Sequence, residues 1–282
     1  MSYYLDKNYW DENAESYNNY VESTKFSLFY SIMAMEMTIG KEKPTLPIKL
    51  LDVATGTGPV AIAASKYISQ FNPESSITAI DFSSKMIEQL DLNIKNQNIN
   101  NIQTAVMDGL DLKLDDNTFD YGLSFFGLNL FSDRVQGMKE IHRVLKPGGQ
   151  VMISTWTEDS FWNIGFRVIL TEMGLDYKKY IPFSALRDPV LFESELLQAG
   201  FKDVRIVPIE KDIPLPNIPL EQTIKMFEKN PIMLNVMRDL NVEQQTQFVP
   251  GLIRVFFSMY PKDQSEKGFS LKSKVLLGFG NK

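Results

Sequence analysis

Between residues 48 and 156 the chain alternates short apolar runs with stretches whose apolar residues recur at helical spacing. Helical patterns cover most of the intervals between five apolar runs of strand length, which are residues 48–53, 76–80, 102–106, 121–125 and 150–155. Strands that alternate with helices are typical of a parallel, doubly wound sheet. In such a sheet the ligand site lies at the carboxyl ends of the strands.

The segments on either side of this core follow other patterns. Up to about residue 40 the spacing predicts two helices, and the apolar stretch 26–39 contains Glu36 and is too short to span a bilayer. Beyond residue 156 the pattern predicts helices over 157–190, a helix over 191–199, a strand over 202–209, helices over about 220–260 and a last strand over 269–279.

We therefore expect an α/β fold with a doubly wound, mostly parallel seven-stranded sheet, an antiparallel last strand and helical cap insertions. The chain is expected to divide into six segments. They are an N-terminal helical segment that covers the ligand site (1–47), the core (48–156), a first helical cap (157–190), a helix and strand that complete the sheet (191–212), a second helical cap (213–265) and the last strand (266–282).

Composition narrows the possible chemistry. The chain has 282 residues, 44% of them hydrophobic and 23% charged, which is typical of a globular domain. It contains no cysteine and one histidine, so disulfides, zinc-thiolate centres, iron–sulfur clusters and a multi-histidine metal site are excluded, and we predict no metal. A net charge of −6 lacks the cationic excess that nucleic-acid binding requires, so we predict no nucleic-acid partner.

A secretion signal has a basic stretch followed by an apolar run, and the beginning of this sequence lacks that pattern. We therefore expect a cytoplasmic protein. We also expect no membrane span, and a monomer or weak dimer.

A glycine-rich turn follows the first strand of the core. Residues 56–61 (GTGPVA), with Asp81 after the next strand, fit the spacing of a nicotinamide-dinucleotide site. Three features favour a ligand without phosphates. Asp52 at the end of the strand would repel a pyrophosphate, Pro59 lacks the N–H that would help to hold one, and Asp108 adds another acid after the third strand.

Five segments of the core resemble, in order, the motifs of class I S-adenosylmethionine-dependent methyltransferases. They are LLDVATGTG, AIDFSSKMI, AVMDGLDL, DDNTFDYGLSFFGLN and EIHRVLKPGGQVMIS. The branch that resembles this chain most is that of the ubiquinone and menaquinone biosynthesis methyltransferases (methyltransferase type 11). The resemblance implies a Rossmann-like core and S-adenosyl-L-methionine as the cofactor. The sequence departs from the family pattern at Ala54, where the family has a glycine. We expect Ala54 to keep an ordinary φ.

The resemblance also implies roles for three acids. Asp52 would lie near the methionine ammonium, Asp81 would accept the two ribose hydroxyls, and Asp108 would accept the adenine amino group. Asp52 and Asp81 have a simpler alternative role as turn or helix-capping residues, and the alternative for Asp108 is chance placement in a loop. The remaining residues implied at the cofactor are Trp10, Tyr17, Ala54, Thr55, Gly56, Gly58, Phe82, Met86, Met107, Gly109, Ser124, Phe125 and Phe126.

No catalytic residue can be assigned from the sequence. His142 is in the helix that precedes Lys146-Pro-Gly-Gly149, which the resemblance implies to pack away from the strand ends. Methyl transfer from a sulfonium leaves a neutral thioether, so alignment of the reactants can replace a strong base for acidic acceptors.

The two predicted caps are rich in aromatic and methionine side chains, which suggests a small, apolar or aromatic acceptor. We expect methylation on oxygen rather than on carbon or nitrogen, and we expect Trp162 or Phe257 to contact the acceptor. Three alternatives stay open: a methyltransferase that acts on protein or RNA, a non-catalytic interaction module with the same fold, and a dinucleotide oxidoreductase. The cap residues considered are Phe161, Trp162, Phe166, Tyr180, Phe183, Met226, Phe227, Met233, Met237, Phe256, Phe257 and Tyr260.

Overall fold

The computed structural model describes residues 6–180, 186, 188–214, 219–259 and 270–282. Within these residues the strands form one seven-stranded sheet in the order β3-β2-β1-β4-β5-β7-β6. The first five strands are parallel, and β7 is antiparallel to both of its neighbours. The predicted fold class is therefore confirmed. The strands are β1 Lys49–Val53, β2 Ser76–Asp81, β3 Ile102–Val106, β4 Phe119–Phe125, β5 Leu145–Trp156, β6 Lys202–Pro214 and β7 Ser270–Asn281.

Helices cover both faces of the sheet because successive strand residues point to opposite sides. Leu50 belongs to the apolar cluster that includes α2, α4 and α7, whereas Leu51 belongs to the cluster that includes α6 and α8. The helices are α1 Lys7–Thr24, α2 Phe26–Met37, α3 Ile39–Glu42, α4 Pro59–Ile68, α5 Ser84–Asn96, α6 Arg134–Val144, α7 Phe161–Glu172, α8 Pro189–Gln198, α9 Leu220–Glu228, α10 Pro231–Met237 and α11 Val242–Met259. No helix in the described part of the chain has both the length and the apolarity needed to cross a membrane.

Several elements begin or end away from their predicted positions, and β5, β6 and α8 show the reasons. β5 begins at Leu145, before the glycine pair, because Leu145 pairs with Phe119 of β4. β6 continues to Pro214 because it stays paired with β7. α8 begins at Pro189, where the Asp188 side chain accepts a hydrogen bond from Val190 N at 2.9 Å. The predicted start of the last strand at Phe269 lies outside the described residues, and the division into six segments stays a prediction.

The aromatic residues of the two caps pack against each other. Trp162 of α7 is 1% exposed, and its ring lies 5.8 Å from the rings of Phe227 of α9 and Phe256 of α11. The ring of Tyr20 of α1 lies 6.4 Å from that of Trp162. Trp162 is therefore part of a shared core that joins the caps to α1. Phe183 and Tyr260, also considered for an acceptor pocket, lie outside the described residues.

Candidate functional site

The chain makes a tight turn after β1. Thr55 N donates to Ile80 O of β2 at 2.9 Å, and Gly58 N donates to Thr55 O at 3.0 Å. Gly56 and Ala54 both have φ 57°, in the left-handed region. The expectation that Ala54 keeps an ordinary φ is therefore wrong, since in this conformation the chain turns so that Thr55 N bonds to Ile80 O of β2. An alanine in the left-handed region costs about 1 kcal/mol relative to glycine.

Two buried carboxylates lie at the ends of β1 and β2. Asp52 is 1% exposed and accepts a hydrogen bond from Thr55 Oγ1 at 2.7 Å. Asp81 is 6% exposed, and its two oxygens accept hydrogen bonds from Gly56 N at 2.9 Å and Ser83 N at 3.0 Å. Burial raises the pKa of Asp52 to about 7 and that of Asp81 to about 6.

Helix α1 lies over the glycine turn. A Cβ on Gly56 would lie 3.1 Å from Cε1 of Tyr17, whose ring also makes an edge contact with Trp10 at 5.8 Å. Burial raises the pKa of the Tyr17 hydroxyl, so this group is a neutral donor at physiological pH. Ser83 Oγ donates to Asp11 at 2.6 Å and so fastens α1 to the beginning of α5.

A cavity of about 240 Å³ lies between α1 and the carboxyl ends of β1 to β4. Most of the predicted cofactor residues line it, namely Trp10, Tyr17, Ala54, Gly56, Asp81, Phe82, Met86, Met107, Asp108, Gly109, Phe125 and Phe126. Four predicted residues do not line it, namely Asp52 of β1, Thr55 and Gly58 of the turn, and Ser124 of β4.

Sequence reasoning missed Leu110, Gly127, Leu130, Phe131 and Ser132, which also line the cavity. Leu110 and Gly127 are within motifs that carried the resemblance, so the signal for them was present. The other three follow the end of β4 in a turn that had no recognised pattern of its own.

The order of the strands spreads the cavity residues along a line. Asp108 follows β3, Asp81 ends β2, Gly56 follows β1 and Phe125 ends β4, and these strands are adjacent in that order. Since neighbouring strands are about 4.8 Å apart, the four strand ends span roughly 14 Å. This geometry suits an elongated ligand with different chemical groups along its length.

The charge of the cavity favours a cationic or hydroxyl-bearing ligand. Asp81 and Asp108 line it, and no lysine or arginine does so among the residues that the structure describes. Pro59 begins α4 and offers no N–H to a phosphate. These features disfavour the dinucleotide alternative.

The end of β4 is unusual in its backbone and its packing. Phe126 has φ 61°, and its N–H donates to Ser154 Oγ at 3.1 Å, while its ring lies 4.6 Å from that of Trp156. A Cβ on Gly127 would lie 2.6 Å from Cβ of Ala54. Bulky residues rarely adopt a left-handed φ, and such strain is typical of functional sites.

His142 lies away from the cavity. It is near the end of α6, at the amino ends of the strands, and its ring makes an edge contact with Phe201 at 5.0 Å. Burial lowers the pKa of His142. In the described part of the chain, no group of three or more acidic or histidine side chains is placed to hold a metal ion.

Comparisons with known proteins place these features in a family. The family model of the ubiE/COQ5 methyltransferase family matches residues 14–164. The ubiquinone/menaquinone biosynthesis C-methyltransferase UbiE of Geobacter sp. (strain M21) is 35% identical over 171 residues, covering 56% of this chain and 72% of the relative. The demethylmenaquinone methyltransferase of Staphylococcus carnosus is 29% identical over 208 residues, covering 69% of this chain and 82% of the relative.

Solved structures share the fold. A phosphoethanolamine N-methyltransferase 2 of Haemonchus contortus, in complex with S-adenosyl-L-methionine, has a TM-score of 0.58 at 16% identity and covers 96% of this chain and 57% of its own. A methyltransferase of Thermotoga maritima, described as a possible histamine N-methyltransferase, has a TM-score of 0.55 at 14% identity. It covers 98% of this chain and 99% of its own. At these identities the likeness concerns the fold alone.

Proposed function

Because this chain belongs to the ubiE/COQ5 methyltransferase family, we propose that it transfers the methyl group of S-adenosylmethionine to a ring carbon of a quinol-type small molecule. That it is an S-adenosylmethionine-dependent methyltransferase agrees with the motifs of its sequence. The preference for oxygen is not supported, since the relative from Geobacter is named a C-methyltransferase. Carbon therefore replaces oxygen as the proposed site of methylation.

The linear order of groups in the cavity supports S-adenosylmethionine as the cofactor in this proposal. Oδ2 of Asp81 accepts a hydrogen bond from Gly56 N and Oδ1 accepts one from Ser83 N, and a carboxylate has further lone pairs that can accept the two hydroxyls of a ribose. Asp108 uses Oδ1 to accept from Leu110 N at 2.9 Å, so its other oxygen is available to an adenine amino group. Met107 and Gly109 then flank the adenine ring.

The other end of the cavity suits the methionine part of the cofactor. Tyr17 offers a neutral hydroxyl donor for a carboxylate, and Trp10 covers the same region. Asp52 lies behind the turn, so in this proposal it acts through its negative charge and through Thr55 rather than by direct contact. When bound, S-adenosylmethionine supplies an electrophilic methyl group on a positively charged sulfur.

An aromatic acceptor fits the wall that lies beyond this end. Phe125, Phe126 and Leu130 supply apolar and aromatic surface on the β4 side of the cavity. A quinol ring packs well against such a wall, and ionisation of its weakly acidic hydroxyl makes the ring carbon electron-rich. The ring proton that the methyl group replaces is released to solvent. The chain is then required mainly to align the ring carbon and to exclude water.

The test is transfer of a ¹³C-labelled methyl group from S-adenosylmethionine to a short-chain prenyl naphthoquinol kept under reducing conditions. We expect a ¹³C signal in the region of aryl methyl groups. A methoxy signal would contradict carbon methylation. Absence of transfer to quinols, together with robust transfer to a peptide or RNA, would contradict the proposed acceptor class and leave the cofactor assignment intact.

Cofactor binding is expected to strengthen as the pH rises from 5 to 7.5. In the ligand-free chain burial holds the pKa of Asp81 at about 6 and that of Asp52 at about 7, whereas the bound ligand favours their ionised forms. One protonated carboxyl weakens binding about tenfold for each pH unit below its pKa, so we expect at least about a tenfold gain in affinity by calorimetry.

Stability of the ligand-free chain is expected to change in the opposite direction. Because these two pKa values are higher in the folded chain than in the unfolded one, the folded chain binds more protons between about pH 4 and 7, and these groups lower the unfolding free energy as pH rises through that range. Asp52→Asn should remove the contribution of Asp52 to the pH dependence of the affinity and to that of the unfolding free energy. An affinity for S-adenosylmethionine that is constant from pH 5 to 7.5 would contradict this account.

A further inference from the structure

The loop of residues 107–118, between β3 and β4, contains the adenine-side residues of the cavity but has no helix or strand of its own. Side chains of α6 satisfy its backbone instead. Arg143 donates through Nη2 to Leu112 O at 2.7 Å and through Nη1 to Leu114 O at 2.8 Å. Glu140 Oε2 accepts from Leu112 N at 2.8 Å.

The contacting side chains share one face of α6. Gln136, Glu140 and Arg143 recur at helical spacing, and Gln136 Nε2 adds a longer contact to Leu110 O at 3.4 Å. The guanidinium is itself held in place, since Arg143 donates through Nε and Nη2 to the two oxygens of Glu140 at 3.1 and 2.8 Å. The hydrogen bond from Arg143 holds the pKa of Glu140 below its usual value, so the pair stays ionised.

A short stretch of backbone, residues 108–112, connects Leu112, which α6 holds, to Asp108 in the cavity. Leu110 N donates to the Asp108 carboxylate, and Asp111 N donates to Asp108 O at 3.2 Å, so residues 108–112 form a compact turn. Phe131 packs closely on the same turn from the α6 side. A Cβ on Gly109 would lie only 2.5 Å from its ring. We therefore expect a displacement of Leu112 to shift the Asp108 carboxylate through this turn.

We propose that Arg143 is a positioning residue for adenine recognition, which holds the Asp108 carboxylate at the place where the adenine amino group binds. This inference rests on the proposed role of Asp108 and extends it to a residue that does not line the cavity. It also assigns a function to the Glu140-x-x-Arg143 part of the motif before β5, which the cofactor contacts do not explain.

The test compares S-adenosylhomocysteine with S-inosylhomocysteine, in which a carbonyl oxygen replaces the adenine amino group. For the unmodified chain we expect calorimetry to show a preference of at least about tenfold for the adenosyl compound, since a carbonyl would face the carboxylate. Lysine lacks the planar fork that reaches two carbonyls, so Arg143→Lys is expected to reduce this preference to within about threefold. Asp108→Asn should also reduce it, and the double variant should lose no more than either single variant.

Arg134→Lys is the matched control. It makes the same change on the same helix, but Arg134 bonds to Glu195 of α8 at 2.6 and 3.0 Å and not to the loop. It is expected to keep the full preference. Glu140→Ala, which removes the carboxylate that holds Arg143, provides a second variant with the same expected loss if Arg143→Lys folds poorly.

Two results would overturn the inference. If Arg143→Lys and Glu140→Ala weaken both ligands equally and keep the preference, Arg143 only stabilises the loop. If the unmodified chain binds neither compound, the proposed cofactor site fails as well. The second result is distinguishable from the first because it does not depend on any variant.

Discussion

Asp81→Ala is expected to weaken binding of S-adenosylhomocysteine by roughly 10–150-fold, because two ribose hydroxyls lose a charge-assisted acceptor that contributes about 1.5–3 kcal/mol. The same carboxylate accepts the N–H groups of Gly56 and Ser83, so the glycine turn and the beginning of α5 also lose a contact. Calorimetry at pH 7.5 measures the affinity, and a urea unfolding curve measures any accompanying change in stability, which we expect to be small.

Asp91→Ala is the control for this prediction. Asp91 is an acid of α5 that is exposed and accepts a hydrogen bond from Thr104 at 2.7 Å, outside the cavity. Its removal is expected to leave the affinity within about twofold, as for other surface substitutions. If Asp81→Ala also stayed within that range, Asp81 would not be the ribose acceptor.

Trp162→Ala is expected to lower the unfolding free energy by about 3–5 kcal/mol, which is typical of truncating a buried aromatic residue. Its ring lies among those of Phe166, Phe227 and Phe256 and is fully buried, so the change leaves a large hole in the shared core of the caps. Denaturant unfolding measures the effect. The affinity for S-adenosylhomocysteine is expected to stay the same, because Trp162 does not line the cavity.

Phe29→Ala provides the matched comparison. Phe29 is an aromatic residue of α2 that is 42% exposed, and its truncation is expected to change stability by no more than about 0.5 kcal/mol. The contrary outcome for Trp162 would be a small loss of stability with a large rise in the acceptor KM. That outcome would restore the earlier expectation that Trp162 contacts the acceptor.

Local pattern was enough to predict the parallel core. β3 occupies residues 102–106 as predicted, and β2 extends the predicted run by only Asp81. β2 is buried or half-buried, and β3 is half-buried except for the exposed Gln103 and Val106, so both strands could be identified from residues close by in the sequence. β5 was predicted too short because its first residues are held by pairing with Phe119, a partner from another strand that no local pattern reveals.

The candidate site shows the same division between local and distant causes. The motifs predicted which segments meet at the carboxyl ends, because the fold class determines that edge. They did not predict the left-handed φ of Ala54 and Phe126, since each depends on a hydrogen bond or packing contact with another strand. Composition suggested that the caps form an acceptor pocket, but it could not distinguish a pocket from a core made of the same aromatic residues.

A crystal structure of the chain with S-adenosylhomocysteine would show the proposed cofactor contacts themselves. We expect the ribose diol to bond to both oxygens of Asp81, the adenine amino group to bond to Asp108, and the thioether to lie beside Phe125 and Phe126. A ligand bound elsewhere, or bound in this cavity with its ribose away from Asp81, would contradict the account.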